Sequence, residues 1–325
     1  RFNSGFEQNI FNTKVNHILS SKSTLQLQLN YTNSPRAQDA GGITLENTEL
    51  DWRQARQRNI DYDTYESVKQ FKTGLKWNQE IGAFWDLESY GFFIYRDFLG
   101  KLPFENGGII DLNRNYYGYG TRLNFQKSNH TFELGIENNN QKDQRDRYQN
   151  LIGNQGDLTF SQLENFNALG FYILDELSLG EFLLRSNIRF DNLTLGANSV
   201  AQNQVYHTIN PSIGISYKLS LKQTMYTNFS TSFETPTLSE LSANPSGLEG
   251  LNLNLKPSKA ENYELGWKGN WSRFTLEANL FYILSSNEIL PYELEAFPGR
   301  AFYENTGETK RFGFEFFGSY KNNSW

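Results

Sequence analysis

A period of two in hydrophobicity runs through most of this chain and determines its fold class. Between residues 25 and 31, Leu and Tyr occupy the odd positions and Gln and Asn the even positions. Successive side chains of a β-strand point to opposite faces, so this segment forms a strand with one apolar face, a pattern that a helix cannot present. The same pattern predicts thirteen strands, at residues 11–19, 25–31, 69–77, 85–95, 117–125, 130–136, 167–175, 184–190, 211–219, 225–233, 262–268, 274–284 and 310–320.

The connections between these strands alternate between short and long. Thirteen strands in 325 residues gives about 25 residues per strand, whereas strands of globular sandwiches recur at roughly 8–12 residues. If successive strands are antiparallel, all short turns lie at one edge of the sheet and all long loops at the other. This is the plan of a transmembrane β-barrel with short periplasmic turns and long extracellular loops. The short turns are 20–23, 78–82, 127–129, 176–181, 220–223, 269–272 and 321–324; the long loops are 32–66, 97–115, 138–164, 192–208, 234–261 and 285–309.

Alternating strands also build soluble sandwiches. The positions of aromatic and ionisable residues distinguish a soluble sandwich from a barrel in a membrane. Five of the six tryptophans flank short turns, as in an aromatic girdle at one membrane interface, whereas a sandwich core would hold them mid-strand. Ionisable residues such as Glu133, Arg189 and Glu264 lie in strand centres on the polar face, where a wet or plugged lumen accommodates them. The sequence therefore favours an all-β, antiparallel transmembrane barrel. The five tryptophans are Trp77, Trp85, Trp267, Trp271 and Trp325.

Composition excludes several classes of function. The chain has no cysteine, a net charge of −6 and three histidines, His17, His130 and His207, separated by whole hairpins. A nucleic-acid binder needs a basic surface, which this charge balance does not supply. The chain has no Gly-x-Ser-x-Gly elbow, no His-Glu-x-x-His helix and no phosphate-binding glycine loop. We therefore expect no catalytic residue, cofactor, metal site or nucleic-acid partner.

A run of motifs in the second half of the chain resembles the barrel of TonB-dependent outer-membrane receptors. YTNFS at 226–230 leads to FETPT at 233–237, then NLNLKP at 252–257 and ENYELG at 261–266. NTG at 305–307 followed by RFGFE at 311–315, and the hairpin from 171–176 to 188–191, are similar to later and earlier parts of that barrel. Ser258 departs from the pattern, since the family usually has Glu after Lys-Pro. The resemblance covers residues 165–320 by motif and the first 164 residues by architecture.

This resemblance implies an active importer in the outer membrane of a Gram-negative bacterium. Such receptors have 22 strands, an N-terminal plug inside the barrel and a TonB box that couples transport to the inner-membrane proton-motive force. Residues 1–325 would then be a partial barrel domain, without the plug and without about nine of 22 strands. Family ligands include ferric siderophores, haem, cobalamin and oligosaccharides, and the motifs favour a ferric siderophore. The implied partners are the lipid bilayer, TonB through the plug, and this ligand.

Arginines interleaved with aromatic residues in the long loops are the candidate ligand-binding residues. Guanidinium groups pair with carboxylates and catecholates while aromatic faces cover apolar parts of a ligand, so the mixture suits an anionic metal chelate. Ordinary loop composition is the alternative. The candidates are Arg53, Arg56, Arg58, Tyr62, Arg145, Arg147, Tyr148, Tyr206, His207, Arg300 and Tyr303.

Four residues of the late strands are candidates for the lumen face next to the plug: Glu264, Gly266, Gly313 and Glu315. A missing side chain lets another backbone approach, and in this family that neighbour is the plug. Alternatively, the two glycines relieve strand coiling as the barrel curves. Face assignment also predicts Leu27, Leu75, Leu265 and Phe314 towards lipid and Gln28, Lys76, Glu264 and Glu315 towards the lumen.

Two other functions remain open on the sequence alone. A passive porin shares the barrel but is complete in about 16–18 strands with an open channel, so a plug would exclude it. A sandwich-type surface adhesin would be soluble without detergent, whereas a barrel with this apolar face would not.

Overall fold

Antiparallel strands make up most of the computed structural model, which describes residues 2–200, 203–246, 251–297 and 299–322. Three short helices lie in the connections: α1 (Leu45–Leu50), α2 (Gln57–Asp61) and α3 (Leu238–Ser242). None of the helices in these ranges is long and apolar enough to cross a membrane. The strands are β1 (Phe6–Ser20), β2 (Ser23–Gln38), β3 (Tyr65–Ile81), β4 (Trp85–Lys101), β5 (Ile109–Lys127), β6 (His130–Leu151), β7 (Asn154–Leu179), β8 (Phe182–Ala197), β9 (Gln204–Ser220), β10 (Gln223–Glu234), β11 (Ser258–Asn270), β12 (Phe274–Ser286), β13 (Ile289–Glu293), β14 (Ala301–Asn305) and β15 (Glu308–Tyr320).

Thirteen of these strands form one sheet in which each strand pairs with its neighbours in sequence. The order runs from β1 to β12 and then to β15, and every pair is antiparallel. The prediction of thirteen strands is confirmed. A separate hairpin of β13 and β14 was missed, because its five-residue strands are too short to show alternation. Within the described residues the sheet is open, since no pairing joins β1 to β15.

The short turns lie where the sequence predicts them, but several predicted long loops are wrong. Residues 138–164 instead continue β6 and β7, which meet in the two-residue turn Ile152–Gly153. Both turn residues have positive φ, as a type I′ hairpin requires. Residues 97–115 and 192–208 shorten in the same way, to 102–108 and 198–203. In the β6 extension, residues 138–147 are polar on both faces, so this backbone pairs without the apolar alternation by which strands were recognised.

One face of the sheet carries a broad apolar surface. All four predicted lipid-facing residues are exposed on it, Leu27 at 37%, Leu75 at 48%, Leu265 at 49% and Phe314 at 63% of their full accessible area. A soluble protein rarely exposes so large a continuous apolar surface, whereas a barrel wall in lipid requires it. Tryptophans border this surface at the short-turn edge, where Trp77 donates to Ser23 Oγ at 2.9 Å. Trp325 and the end of the predicted turn at 321–324 lie outside the described residues.

The opposite face carries a continuous network of charged and hydroxyl groups across β3 to β8. All side chains of this network point to the same face of the sheet, opposite to the apolar face. The network therefore marks the lumen side of the barrel wall. A lumen that excludes lipid accommodates these charges because they pair with each other. The contacts are Glu88 with Lys76 and Arg122, Glu133 with Arg122 and the Tyr172 hydroxyl, and Glu137 with Arg189 and the Tyr90 hydroxyl.

Gly266 and Gly313 make room for aromatic rings of adjacent strands on this lumen face. A Cβ placed on Gly266 would lie 2.2 Å from the Tyr226 ring, and one on Gly313 would lie 2.3 Å from the Phe281 ring. Each glycine therefore has a physical reason within the sheet, since a ring of the neighbouring strand covers the bare backbone. Contact of these residues with a plug stays a prediction.

Candidate ligand-binding vestibule

The connection between β10 and β11 folds inward at the long-loop edge of the sheet. Thr237 and Glu240 form a capping box that starts α3, and Leu238 and Leu241 are buried beneath it. They pack on Leu195, which shares the lumen-facing parity of β8 with Arg189. This apolar cluster also holds Ala197, Leu251 and Leu255, with Phe166, Val200, Tyr206 and Tyr303 against its rim. The connection therefore narrows the outer end of the lumen, and we name this region the vestibule.

A buried ion pair fixes α3 to the wall. Arg145 Nε and Nη2 donate to the Glu164 carboxylate at 2.8 and 3.1 Å, and Nη2 also donates to Ser239 Oγ of α3 at 3.2 Å. Both side chains of the pair are nearly inaccessible to water. The guanidinium of Arg145 was predicted to contact ligand; in the structure its partners are Glu164 and Ser239, and contact with ligand stays a prediction.

The β13–β14 hairpin also extends over the vestibule. Asn305 links it to the neighbouring connection, accepting from Lys256 N at 2.7 Å and donating to Lys256 O at 2.8 Å. At its base Glu288 pairs with Arg311 of β15. Its far end reaches the turn between β4 and β5, because a Cβ on Gly299 would lie 4.0 Å from the Phe104 ring. The hairpin thus extends from β12 towards β4 and β5.

Two arginines of the vestibule have no ionic partner among the described residues. Burial, and then the charges of Arg300 and Arg145, lower the pKa of Arg147 to about 10. Burial also lowers the pKa of Arg300, whose guanidinium lies over the rings of Phe297 and Phe302 at 5.7 and 4.9 Å from their centroids. The Glu164 carboxylate offsets part of this lowering for Arg147. Both guanidinium groups are therefore partly desolvated and lack a direct ion pair in the described part of the chain.

A recess lies between α3 and the β5–β8 wall. It has a volume of about 360 Å³ and both polar and apolar walls. Arg114 contributes its polar side and is held by Asp143 through contacts of 2.6 to 3.2 Å. Arg114 lies in the predicted loop 97–115 but was not chosen as a candidate, and the structure places it within β5. The lumen-facing side of β5 was the signal that could have identified it. The lining residues are Arg114, Gln141, Phe166, Leu195, Thr235, Pro236, Thr237, Leu238 and Ser239.

The connection between β2 and β3 holds a second, separate group of candidate ligand-binding residues. Arg53, Arg56 and Arg58 are exposed and make no ion pair within the described ranges. Arg53 lies 4.9 Å from the Trp52 ring centroid and Arg58 lies 5.6 Å from that of Tyr62.

This connection is held by its own polar core. Asn59 and Thr64 are buried and bond to Asp39. Asn150, at the tip of β6, donates to Tyr62 O at 3.1 Å and to Leu102 O at 2.9 Å. The three exposed arginines are therefore presented on a folded platform.

Two candidates face away from the lumen. His207 stacks on Phe190 with ring centroids 6.4 Å apart, on the outward parity of β8 and β9. Tyr148 lies on the outward side near Asp111 and Asp146; burial and then these charges raise its pKa. Tyr206 and Tyr303 instead pack at the rim of the vestibule cluster. The structure thus brings Arg145, Arg147, Tyr206, Arg300 and Tyr303 to one region and separates Tyr148 and His207 from it. No metal-binding group of His, Cys, Asp and Glu occurs among the described residues.

Comparisons with known proteins agree with this geometry. Residues 11–325 match the family model "TonB dependent receptor-like, beta-barrel". The vitamin B12 transporter BtuB of Vibrio vulnificus (strain CMCP6) is 28% identical over 130 residues, which are 40% of this chain and 19% of that protein. The ferric-pyoverdine 358 receptor of Pseudomonas putida is 28% identical over 152 residues, 43% of this chain and 18% of that protein. The matched regions are thus under a fifth of each relative's length.

Solved structures share the fold of this antiparallel sheet. The copper transporter OprC superposes with a TM-score of 0.78 at 12% identity, covering 98% of this chain and 50% of OprC. The unliganded ferric citrate transporter FecA gives 0.77 at 20% identity, covering 98% of this chain and 48% of FecA. At these identities the likeness shows the fold alone, and it confirms the barrel. Members of this family are transporters rather than enzymes, which confirms that the chain is not an enzyme. The chain belongs to the TonB-dependent receptor family, whose β-barrel model it matches over residues 11–325.

Proposed function

We propose that the full-length protein is an outer-membrane receptor that imports a scarce anionic ligand, a ferric siderophore, with energy supplied through TonB. The family supports outer-membrane transport of siderophore- and vitamin-type ligands. The ferric-pyoverdine receptor and the ferric citrate transporter are relatives whose ligands are iron chelates.

The observation that supports an anionic ligand is the set of exposed, unpaired arginines at the long-loop edge. Arg53, Arg56 and Arg58 extend from a folded platform without a carboxylate partner in the described part of the chain. Their guanidinium groups are free to donate paired hydrogen bonds to carboxylate or catecholate oxygens. Tyr62 and Trp52 add aromatic faces for the apolar parts of a chelate.

The remainder of the transport path belongs to the same proposal. Residues 1–325 are part of the barrel domain, and the rest of the polypeptide supplies the plug, the TonB box and further strands. Glu264, Gly266, Gly313 and Glu315 lie on the lumen face and would adjoin the plug. The host is a Gram-negative bacterium with this protein in its outer membrane, as for the family. A passive channel is not favoured, since the β10–β11 connection and the β13–β14 hairpin fold into the vestibule.

The test is substitution of Arg53, Arg56 and Arg58 together by Ala in the full-length receptor. We expect affinity for a ferric chelate in detergent to fall by several kcal/mol at most, at about 1.5–3 kcal/mol for each charged hydrogen bond made. Thermal unfolding should barely change, because exposed side chains bury little surface.

A matched control removes three cations from the opposite edge, through Lys22→Ala, Lys222→Ala and Lys321→Ala. This variant should keep the affinity of the unsubstituted receptor. Cobalamin and a maltooligosaccharide serve as competitors of other ligand classes. Unchanged chelate affinity in the arginine variant, or tight binding of the uncharged glycan alone, would overturn the siderophore proposal.

A further inference from the structure

Two rows of apolar side chains line a groove on the lipid-facing side of β5 to β9. Strand register places the members of each row side by side across β6, β7 and β8. The groove has a volume of about 600 Å³ and an almost wholly apolar lining. It therefore fits hydrocarbon, such as the acyl chain of a lipid. The rows are Ile136, Phe171 and Phe190 and, towards the short turns, Leu134, Ile173 and Ile188.

The rows directly beyond this groove, towards the long-loop edge, carry side-chain amides. Asn138 and Asn192 lie on either side of Leu169, and in the following row Asn140 lies opposite Asn167. Each asparagine is an even number of residues from a groove residue of its own strand, so it points to the same outward face. We name these four asparagines the amide patch. It lies on the outside of the wall, apart from the lumen and the vestibule.

Two tyrosines of β5 show the depth of the amide patch in the membrane. Tyr117 pairs with Asn140 and Tyr119 with Asn138, and both rings are exposed on the outward face. Tyrosine is enriched where hydrocarbon meets water, because its ring is apolar and its hydroxyl is polar. The patch therefore lies at the level of the lipid headgroups, with the groove in the hydrocarbon beneath it. One lipid molecule can place its chain in the groove and its headgroup on the patch.

The amide patch has hydrogen-bonding capacity that the protein does not use. Asn167 donates to Asn140 Oδ1 at 2.7 Å, Asn140 donates to Asn138 Oδ1 at 2.6 Å, and Asn138 donates to Ala168 O at 3.2 Å. Beside this ladder, Asn192 Oδ1 is buried and accepts no hydrogen bond from any described residue. A buried acceptor without a donor is costly, so a hydroxyl or N–H group from outside the wall would stabilise it.

The chemistry of the patch selects the headgroup. Amides both donate and accept, which suits the hydroxyl and acylamino groups of a saccharide. A phosphate headgroup without sugar calls for cations. The next row outward across β5 to β7 holds one cation, the exposed Lys142, between Asn115 and Asn165. A saccharide that carries a phosphate substituent therefore fits this surface better than a simple phospholipid does.

We propose that the groove and the amide patch together bind an acylated saccharide of the outer leaflet. One acyl chain lies in the groove, the sugar lies on the four asparagines, and a phosphate substituent lies near Lys142. The inference rests on the proposed function in one respect, the outer-membrane location, because the outer leaflet of that membrane is built of acylated, phosphorylated saccharides. The site is independent of the imported ligand.

The test compares two lipids with acyl chains of matched length, an acylated, phosphorylated disaccharide and a phosphatidylethanolamine, for binding to the full-length receptor in detergent. The unsubstituted receptor should bind the glycolipid about tenfold more tightly than the phospholipid, from several added hydrogen bonds. Asn192→Leu and Asn140→Leu should each reduce this preference and leave phospholipid affinity unchanged. Asn33→Leu is the matched control, since Asn33 is an outward-facing asparagine beyond Tyr31 on β2, and it should keep the full preference.

A groove variant tests the placement of the acyl chain. Leu134→Trp fills the groove with a larger apolar side chain at a lipid-facing position, so the barrel should still fold while glycolipid affinity falls. The deacylated disaccharide should compete only weakly. Undiminished glycolipid affinity in Leu134→Trp, or full competition by the deacylated sugar, would contradict the assignment of the groove.

Unfolding midpoints separate recognition from a structural role. Asn192→Leu leaves the hydrogen-bonded ladder intact and should not lower the midpoint in the absence of lipid. Saturating glycolipid should raise the midpoint of the unsubstituted receptor by mass action, and raise that of Asn192→Leu less at the same concentration. Equal affinity of the unsubstituted receptor for both lipids, or an unreduced glycolipid preference in both asparagine variants, would overturn the site.

Failure of this site is distinguishable from failure of the proposed function. Ferric chelate affinity, measured in parallel, should be the same in Asn192→Leu and in the unsubstituted receptor, because the site lies outside the wall. A receptor that binds a ferric chelate but shows no glycolipid preference would refute the site and leave the function. A glycolipid preference that depends on Asn192, in a receptor that binds no ferric chelate, would support the site and refute the siderophore proposal.

Discussion

Leu265 shows how a single position reports the environment of the wall. It lies on the apolar outward face of β11, whereas Lys268, three residues on, faces the lumen and lies 3.5 Å from Glu277. Leu265→Arg places a charge in lipid and should destabilise folding into bilayers by about 2–4 kcal/mol if the position is near the midplane. Lys268→Arg keeps a charge in the lumen and should change little. Equal folding free energies for the two variants in the same vesicles would contradict the membrane assignment.

Glu288 gives a residue-scale prediction about pH. Its hydrogen bond from Arg311, with further bonds from Thr309 and Ser285, lowers its pKa to about 2 from an ordinary 4.5. Because the folded-state pKa is depressed, the stabilisation is complete above about pH 4.5 and is lost as pH falls towards 2. The pair is partly solvated, so the effect is confined to the base of the β13–β14 hairpin.

Acidification from pH 5 to 2 should therefore lower hydrogen-exchange protection of the hairpin, after correction for intrinsic exchange rates. Glu288→Gln should lack the stabilisation already at pH 5 and show a smaller change on acidification. Glu304→Gln, on the exposed side of the same hairpin, should behave like the unsubstituted protein. An identical pH dependence in the Glu288 variant would show that another group controls the hairpin.

At the scale of elements, the placement of α3 depends on the Arg145–Glu164 pair. Arg145→Met or Glu164→Met alone leaves an uncompensated buried charge, which costs about 3–5 kcal/mol, whereas the double substitution should cost much less. Hydrogen exchange of α3 measures the effect, because Arg145 also contacts Ser239. Single variants with undiminished protection of α3 would show that the apolar cluster alone holds it.

The strands that face lipid were predictable from sequence, and the elements beyond the membrane were not. Lipid imposes strict alternation, so residues such as Leu27 and Leu75 identify their strands directly. Around Asn139 and Gln144 no lipid constrains either face, and backbone pairing alone continues β6 and β7. The hairpin tip at Ile152–Gly153 has no Asn-Gly signal, so its tight turn was also missed.

The vestibule was only partly predictable for a related reason. Arg147 and Arg300 are recognisable as candidates from residue type. Whether each forms an ion pair with another described residue depends on contacts between elements distant in sequence. Arg145 is also an arginine and lies two positions before Arg147, yet it forms an ion pair with Glu164. The sequence assigns His207 to a loop, whereas the structure places it in β9 with its side chain outward. Its contact with ligand stays a prediction.

At the scale of the whole molecule, the two faces of the wall can be distinguished chemically. The chain contains no cysteine, so single cysteines provide unambiguous reporters. Cysteines replacing Leu27, Leu75 or Phe314 should react with lipid-restricted probes in proteoliposomes, and those replacing Gln28, Lys76 or Glu315 should react with water-soluble probes. Equal labelling of both sets would contradict the assignment of faces.

Energised uptake is the most direct test of the proposal as a whole. Cells that express the full-length receptor and lack other receptors for the ligand would be given radiolabelled ferric chelate, with and without TonB and with and without a protonophore. We predict accumulation that requires the receptor, TonB and the proton-motive force together, while binding at the surface persists when energy is removed. Accumulation at the same rate without TonB or in the presence of the protonophore would contradict active import and indicate a passive channel.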